Sequence, residues 1–323
     1  MTRHPTVGDL VERLLDPLRL EDLGEGTGFD RPLPGPDVSS PGLVLAGYVG
    51  RFVSDRIQVL GETEVTYLGS LDAGRRREVI ELFLSFDLPA VFITKGQTPP
   101  DGMVELARRR GTAIIGTALK TSDFYRGVKP VLEEMFAPTT TLHGSLADVY
   151  GVGLFFTGQS GIGKSECVLD LVERGNRLVA DDFVIASRRG NDVLIGRAHD
   201  VAAHHMEIRG VGLINIPSIF GIRSVRQQKR IEVVVQLETW DQDAPVDRTG
   251  LDTATTTILG VEIPRMTVPL NPGKNITVIA EVIAMNHLLR YSGINAAEQF
   301  NERLIQRMQK ASAIRHYLQE DVE

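Results

Sequence analysis

A glycine-rich segment in the middle of the chain constrains the fold more than any other feature. Residues 158–165 read GQSGIGKS, which fits the pattern G-x-x-x-x-G-K-[ST], and they follow the apolar run Leu154–Phe156 directly. After them, Val168 and Leu171 recur at helical spacing, and Gly175 is placed to end a helix. The pattern therefore predicts a strand, a tight turn and a helix in succession, as in an α/β fold.

The residue types in this segment suit phosphate. Glycines let backbone N–H groups curl around phosphate oxygens at a helix N-terminus, where aligned peptide dipoles favour negative charge. The lysine would neutralise the terminal phosphates of ATP, and the serine hydroxyl would ligate Mg²⁺. A glycine turn that binds no nucleotide is the alternative. The predicted nucleotide-binding residues are Gly158, Gln159, Ser160, Gly161, Ile162, Gly163, Lys164 and Ser165.

Composition limits the class of protein. A chain of 323 residues with 42% hydrophobic and 24% charged residues fits a globular protein of two domains. Its formal net charge of -7 argues against nucleic acid as a general partner, because a polyphosphate backbone needs a basic surface. The single cysteine, Cys167, and the lack of a long uncharged apolar run predict a cytoplasmic protein without a membrane span.

Strand-like and helix-like runs alternate along both halves of the chain, which predicts an α/β fold throughout. The segment FAPTTTLHG (136–144) is the expected boundary, giving an N-terminal domain at 1–135 and a P-loop domain with terminal helices at 136–323. Strands are predicted at 42–48, 64–68, 89–94, 177–181, 192–196, 230–238 and 275–280. Helices are predicted at about 72–86, 101–110, 119–135, 281–291 and 296–318.

Two aspartates follow the first predicted strand after the glycine-rich segment. The run Arg177–Ala180 leads into Asp181 and Asp182, and the short connection predicts that this strand lies beside the one before the glycine turn. Ligands bind at the carboxyl ends of such strands. One aspartate could serve the metal, and Asp182 is the candidate base for a hydroxyl acceptor. The alternative is that the pair only caps the next element.

Four ordered motifs resemble those of the HPr kinase/phosphorylase family. They are TGQSGIGKSE (157–166), VADD (179–182), MEIRGVGLINI (206–216) and PLNPGKN (269–275), and the stretches PGLVLAGY (41–48), RIQVLGETEVTYL (56–68) and ITKGQTPP (93–100) resemble the family's N-terminal domain. The resemblance implies a bifunctional enzyme that phosphorylates a serine of the phosphocarrier HPr with ATP or pyrophosphate. It also implies removal of that phosphate by inorganic phosphate, which yields pyrophosphate.

The resemblance further implies a cytoplasmic hexamer that uses Mg²⁺ and regulates carbon metabolism, with an N-terminal domain similar to a Mur ligase domain. By motif, Lys164 and Asp182 are expected to be catalytic, together with His143 and Arg248, while Glu207 is expected to join Ser165 as a metal ligand. On residue type alone, His143 could be an ordinary polar residue, Glu207 could pair with Arg209, and Arg248 could form a solvent-exposed ion pair.

A last motif is linked by the resemblance to the dephosphorylation direction. A common family form carries arginines where this chain has Asn271 and Lys274, and lysine does not reproduce bidentate phosphate binding. The predicted dephosphorylation region is Pro269, Leu270, Asn271, Pro272, Gly273 and Lys274. Two rival hypotheses stay open at this point: a P-loop kinase of a small hydroxyl compound, and a non-catalytic nucleotide sensor.

Overall fold

The computed structural model describes residues 4–199, 203–240, 254–270 and 275–320, with side chains up to residue 309. The chain divides into two compact units, Met1–Ala137 and Pro138–Glu323. The break between them falls inside the FAPTTTLHG segment (136–144), on which the sequence boundary was placed. Each unit has its own sheet and its own core, and each is described by itself.

The N-terminal domain is a five-stranded sheet with helices on both faces. Its strands lie in the order β1-β5-β4-β3-β2, with β2 to β5 parallel and β1 antiparallel to β5. The elements are α1 (Val7–Leu14), β1 (Leu20–Asp22), β2 (Val38–Ser39), α2 (Gly42–Leu45), β3 (Ile57–Leu60), α3 (Glu62–Ser70), α4 (Ala73–Ser85), β4 (Ala90–Ile93), α5 (Met103–Arg110), β5 (Ala113–Thr117) and α6 (Thr121–Met135).

The strands β4 and β5 at the centre of this sheet are apolar at every position except Thr117, because both of their faces are covered. Phe92 and Ile115 pack with α1 and α6, while the alternate residues Val91 and Ile114 pack with α4 and α5. All residues of β4 and β5 are buried. Continuous apolar runs, rather than alternating ones, are the expected signature of such doubly covered parallel strands.

Two strand predictions in this domain were wrong. The run GLVLAGY (42–48) contains helix α2, and the run EVTYL (64–68) lies within helix α3. The strand between these helices, β3, was missed. The local reason in α3 is a capping contact: the Glu64 carboxylate accepts a hydrogen bond from the Gly61 N–H, so the β-branched residues that follow continue a helix. The predictions of β4, α4, α5 and α6 are confirmed.

The C-terminal domain contains a six-stranded sheet, a four-stranded sheet and a hairpin among its described residues. Its elements are β6 (Thr139–His143), β7 (Ser145–Val149), β8 (Val152–Thr157), α7 (Lys164–Glu173), β9 (Arg177–Ala180), β10 (Phe183–Arg189), β11 (Val193–Ala198), β12 (His205–Ile208), β13 (Gly212–Asn215), α8 (Ile216–Phe220), β14 (Gln228–Arg230), β15 (Val233–Thr239), β16 (Thr255–Ile258), β17 (Val261–Leu270), α9 (Ile276–Tyr291) and α10 (Ala296–Glu320). The strand orders are β16-β17-β15-β8-β7-β9, β14-β11-β10-β6 and β12-β13.

Strand β8 lies inside the larger sheet and separates two cores. Leu154 and Phe156 face α7 and α9, whereas Phe155 packs with Val184 and Leu194 of the four-stranded sheet. The strand that carries the glycine-rich turn is therefore fixed from both sides, which holds the turn in place.

The prediction that β8 and β9 are neighbours was wrong, because β7 lies between them. Strand β7 pairs antiparallel with β8 and with β9, so β8 and β9 still run in the same direction and end at the same edge. Strand β7 is joined to β8 by a two-residue hairpin turn, Tyr150 and Gly151, whose φ angles are both positive, at 52° and 87°. This backbone matches the twist of the strands it joins.

The predicted strand NITVIA (275–280) also proved to be a helix. Helix α9 begins after Asn275, whose side chain accepts a hydrogen bond from the Val278 N–H at 3.1 Å, and it continues through the predicted helix 281–291. Its buried residues recur at helical spacing, which overrides the strand preference of isoleucine, threonine and valine. The predictions of β9, β11, β15 and α10 are confirmed.

Candidate active site

The glycine-rich turn after β8 leaves the start of α7 open. Gly158, Gly161 and Gly163 have φ angles of 142°, 77° and 105°, which only glycine adopts without strain. At Gly158 a Cβ atom would also lie 2.5 Å from the Leu237 carbonyl oxygen. Within the residues that the structure describes, no side chain caps α7, so its first N–H groups have no acceptor of that kind there. The loop thus has the backbone form of an anion-binding turn.

Lys164 is folded back onto this loop. Its Nζ donates to the carbonyl oxygens of Gly158 at 3.1 Å and Gln159 at 3.0 Å, and the residue is only 6% exposed. A cation held by two neutral carbonyls inside the loop is suited to exchange these contacts for phosphate oxygens, which give stronger charge-assisted bonds. The lysine therefore sits where the terminal phosphates of a nucleotide would need neutralising.

Asp181 is the buried centre of the site. Its Oδ1 accepts hydrogen bonds from Ser145 Oγ at 2.5 Å and from Ser165 Oγ at 3.1 Å. Its Oδ2 is buried and has no hydrogen-bond partner among the described residues. Burial raises the pKa of Asp181 and the charge of Asp182 adds to the rise, while the two serine hydroxyls oppose it. A buried carboxylate oxygen without a hydrogen-bond donor is a position where a water molecule or a cation can bind.

Asp182 projects from a strained turn beside Asp181. Its φ is +62°, and the turn is closed by the Phe183 N–H, which donates to the Asp181 carbonyl at 2.7 Å. The Gly144 N–H donates to the Asp182 carbonyl at 2.9 Å, so the turn is also tied to the link between β6 and β7. The side chain of Asp182 is exposed. A left-handed aspartate held by its neighbours is a common feature of functional sites.

His143 lies at the same corner of the domain. It ends β6 opposite Phe183 in β10, and the two rings lie 5.7 Å apart between centroids. Because Phe183 directly follows Asp182, the strand pairing brings the histidine close to the turn that carries the candidate base. His143 is exposed, so its ring is accessible to a substrate.

The hairpin β12–β13 contributes a glutamate and an arginine. Glu207 is exposed on β12, and within the described part of the chain no ion pair joins it to Arg209. The Arg209 guanidinium instead lies against the glycine loop, since a Cβ on Gly161 would come 2.7 Å from Nη2. The sequence argument mentioned Arg209 only as a partner for Glu207 and missed this contact.

The remaining predicted residues are placed only in part. Pro269 and Leu270 pair with Glu238 and Thr239 of β15, which is itself parallel to β8, so the dephosphorylation region begins at the edge of the sheet that carries the glycine loop. Arg248, Asn271, Pro272, Gly273 and Lys274 lie outside the described residues.

The donor set fits Mg²⁺ better than a metal held by protein alone. Within the described ranges, no group of three or more His, Cys, Asp or Glu side chains is arranged to hold a metal ion. Mg²⁺ is usually bound by one or two carboxylates together with nucleotide phosphates. The Ser165 hydroxyl and the unpartnered Oδ2 of Asp181 supply oxygen donors of this kind.

Comparisons with known proteins match the chain to one family over most of its length. The family model for the HPr Serine kinase N terminus matches residues 6–132, and that for the HPr Serine kinase C-terminal domain matches residues 134–304. A Bacillus mycoides (strain KBAB4) protein named HPr kinase/phosphorylase is 41% identical over 292 residues, covering 90% of this chain and 94% of that protein. A Bacillus cereus (strain B4264) protein of the same name gives the same identity and coverage.

A solved structure, that of the Hpr(Ser) kinase/phosphatase from Coxiella burnetii, is 31% identical to this chain. It covers 47% of this chain and 99% of the Coxiella chain, with a TM-score of 0.44. Among the described helices, none combines the length and the apolar character that crossing a membrane requires.

Proposed function

The chain belongs to the HPr serine kinase family, and from this premise we propose how its site carries out two opposite reactions. It is a protein-serine kinase that uses ATP to phosphorylate HPr and a phosphorylase that removes the phosphate, in the regulation of carbon metabolism. The residue roles given below, the metal, and the identity of the phosphate co-substrates are our proposal.

ATP binds with its terminal phosphates in the loop Gly158–Gly163. The backbone N–H groups of the loop and of the open start of α7 donate hydrogen bonds to the phosphate oxygens, and Lys164 leaves its two carbonyl partners to neutralise them. Ser165 and Glu207 would hold Mg²⁺ in this proposal, with a contribution from the free oxygen of Asp181, and the ion would supply positive charge against the phosphates.

In the kinase direction, the serine oxygen of HPr attacks the γ-phosphorus of ATP. Asp182 accepts the serine proton as the new P–O bond forms and the bond to ADP breaks. Its exposed carboxylate and the left-handed turn that presents it support this role. His143 orients the phosphoryl oxygens from the same corner, and Arg248 steadies the charge that spreads over them.

In the reverse direction, an oxygen of inorganic phosphate attacks the phosphorus of phosphoserine. The P–O bond to serine breaks, pyrophosphate forms, and Asp182 returns the proton to the serine oxygen. The same residues serve both directions because the two reactions share a transferring phosphoryl group. The region Pro269–Lys274 acts in this direction, which is supported by Pro269 and Leu270 ending their strand at the same edge of the sheet as the strand that carries the glycine loop.

We extend the proposal to the setting of the enzyme. It acts in the cytoplasm as a hexamer, accepts pyrophosphate as a second phosphoryl donor, and has an N-terminal domain similar to a Mur ligase domain. The free, buried thiol of Cys167 is in keeping with a reducing compartment.

One observation carries the residue assignment. The 3.1 Å hydrogen bond from Ser165 to Asp181 brings the Asp181–Asp182 turn to the open start of α7, where the phosphates bind. A kinase of a small alcohol would share this geometry, and a nucleotide sensor would have no need for an exposed base beside it.

The test is phosphate transfer measured by intact mass. Purified protein is incubated with HPr and Mg-ATP, and inorganic phosphate is then added to the product. We expect one phosphate on HPr, followed by its loss with release of pyrophosphate. ATP hydrolysis with HPr left unmodified would overturn the proposal. Transfer to small hydroxyl compounds instead would favour a P-loop kinase of such compounds. The absence of both hydrolysis and transfer would favour a non-catalytic nucleotide sensor.

A further inference from the structure

Two serine hydroxyls, those of Ser145 and Ser165, donate to Asp181, and the proposal above gives Ser145 no role. It opens β7, it is fully buried, and its Oγ donates to Asp181 Oδ1 at 2.5 Å. The same oxygen accepts the hydroxyl of Ser165 at 3.1 Å. Two hydroxyl donors from different elements thus converge on one carboxylate oxygen, and they leave the other oxygen without a partner among the described residues.

This arrangement fixes the direction of the Ser165 hydroxyl. A serine hydroxyl carries one proton, and when that proton points at Asp181 the oxygen lone pairs point elsewhere. The carboxylate that receives the proton must itself be held, because the last torsion of an aspartate side chain is soft and broadly populated. Ser145 supplies the second anchor, and it does so from a strand that stands between β8 and β9.

The backbone of this corner does not depend on the Ser145 hydroxyl. The Gly144 N–H donates to the Asp182 carbonyl, and Leu146 pairs with Ala180 across β7 and β9. Removing the hydroxyl therefore leaves the strand in place and frees only the carboxylate. This separates an effect on the orientation of Asp181 from a general loss of structure.

We propose that Ser145 is a positioning residue, which holds Asp181 so that the lone pairs of Ser165 and the free Asp181 oxygen face the metal that accompanies the nucleotide. The inference rests on the proposed function for its metal and nucleotide. Ser145 acts through Asp181 and touches neither ligand. Its expected effect is on metal-dependent nucleotide binding, whereas nucleotide binding without metal depends on the loop and Lys164.

The experiment measures equilibrium binding of a fluorescent, non-hydrolysable ATP analogue, mant-AMPPNP, to the full chain. Titrations are made in Mg²⁺ and in EDTA for the wild type and for Ser145→Ala, Ser145→Thr and Ser145→Cys. Ser224→Ala is the matched control, because Ser224 is also a buried serine of this domain but donates to the Gly221 carbonyl.

For Ser145→Ala we expect the Mg²⁺ concentration that gives half of the metal-dependent tightening to rise about 10–100-fold, the usual cost of losing a hydrogen-bond partner of a metal ligand. Affinity in EDTA should stay within about 2-fold of wild type, since no metal contact is involved. Threonine keeps the hydroxyl and should restore the response, while cysteine, a weak donor, should not.

An unchanged Mg²⁺ response in Ser145→Ala overturns the inference, and so does an equal loss in Mg²⁺ and in EDTA. If the alanine variant does not fold, the threonine and cysteine variants decide, because equal responses from these two also overturn it. Failure of the proposed function would look different: the wild type itself would bind the analogue equally with and without Mg²⁺, or not at all.

Discussion

Two helices of this chain each follow a parallel strand, but they begin with residues of opposite charge. In the N-terminal domain, α3 follows β3 after a single glycine, and Glu64 accepts a hydrogen bond from the Gly61 N–H at 2.9 Å. In the catalytic domain, α7 follows β8 after the loop 158–163, and no side chain caps it. The first residue of α3 is Glu62, whereas that of α7 is Lys164.

The difference teaches how a strand-to-helix turn becomes a site. The start of any helix carries free N–H groups and a partial positive charge. In α3 the start is acidic, because Glu62 and Glu64 lie in the first turn and Glu64 accepts the Gly61 N–H, so an anion is repelled there. In α7 the first residue is Lys164, and the first turn holds a single acidic residue, Glu166. Phosphate affinity therefore depends on the charge that the chain places at a helix start, and three substitutions and one chemical modification test this view.

The largest effect is expected from giving α7 the acidic first residue of α3. Lys164→Glu puts a carboxylate where the terminal phosphates bind, so repulsion replaces neutralisation. Phosphate transfer to HPr, measured by intact mass, should fall by more than about 10³-fold, and mant-AMPPNP binding should be lost.

Lys164→Met is the control for this change, because it removes the charge without reversing it. It should reduce binding less than the glutamate does. Should Lys164→Glu transfer phosphate within about tenfold of wild type, the contrast between the two helices would not explain the site.

A second substitution sharpens the comparison by separating binding from chemistry. Asp182→Asn keeps a residue that tolerates the left-handed backbone but removes the proton acceptor. The rate of transfer to HPr should fall about 10²–10³-fold, in the range that a general base contributes. Binding of mant-AMPPNP should change little, because the open start of α7 is untouched.

The same change at Asp192, an exposed turn residue of this domain, serves as the control and should leave the rate intact. A normal transfer rate in Asp182→Asn would remove this residue from the mechanism and leave the proton to another group.

The third substitution removes the cap from α3. Glu64→Gln weakens the hydrogen bond to the Gly61 N–H and removes the negative charge at the helix start. The free energy of unfolding should fall by about 0.5–2 kcal/mol, as measured by urea denaturation. Transfer to HPr per folded molecule should stay unchanged.

Glu78→Gln on α4 is the matched control, since Glu78 pairs only with Arg75 at the surface. Loss of that ion pair should lower the free energy of unfolding by no more than about 1 kcal/mol. Stability loss in Glu78→Gln as large as in Glu64→Gln would show that the cap of α3 contributes nothing special.

The smallest expected effect concerns Cys167, one turn into α7. Burial raises the pKa of this thiol to about 12, so almost no thiolate exists at pH 8. Although the start of the helix is open, iodoacetamide should leave the native protein unmodified by intact mass. Protein unfolded in guanidinium should be alkylated fully. Rapid alkylation of the native protein would mean that α7 opens locally and exposes the Cys167 thiol.

Local patterns were enough to predict the central motif. The glycine turn, its strand and its helix follow from residues within one stretch of chain, and so does the place of the aspartate pair at a strand end. The errors came where apolar runs lacked a clear period. EVTYL and NITVIA read as strands, but Glu64 and Asn275 cap helices there, and both caps were visible in the sequence.

Other features depend on contacts between distant residues, and no local pattern reports them. Ser145 and Asp181 lie 36 positions apart, and their hydrogen bond exists because β7 enters the sheet between β8 and β9. The Arg209 contact with the glycine loop depends likewise on where the hairpin β12–β13 packs. Sequence reasoning identified the chemistry of the site but not the side chains that hold it in position.

The hairpin at Tyr150 and Gly151 has a further consequence during synthesis. Strand β8 receives its first partner, β7, from residues already made, but its other edge waits for β15, about 75 residues later. At ordinary translation speeds that interval is roughly 4–15 s, and through it the apolar strand that carries the catalytic loop presents a bare edge. Chains cut before Val233 keep that edge permanently, which makes them candidates for aggregation rather than small working enzymes.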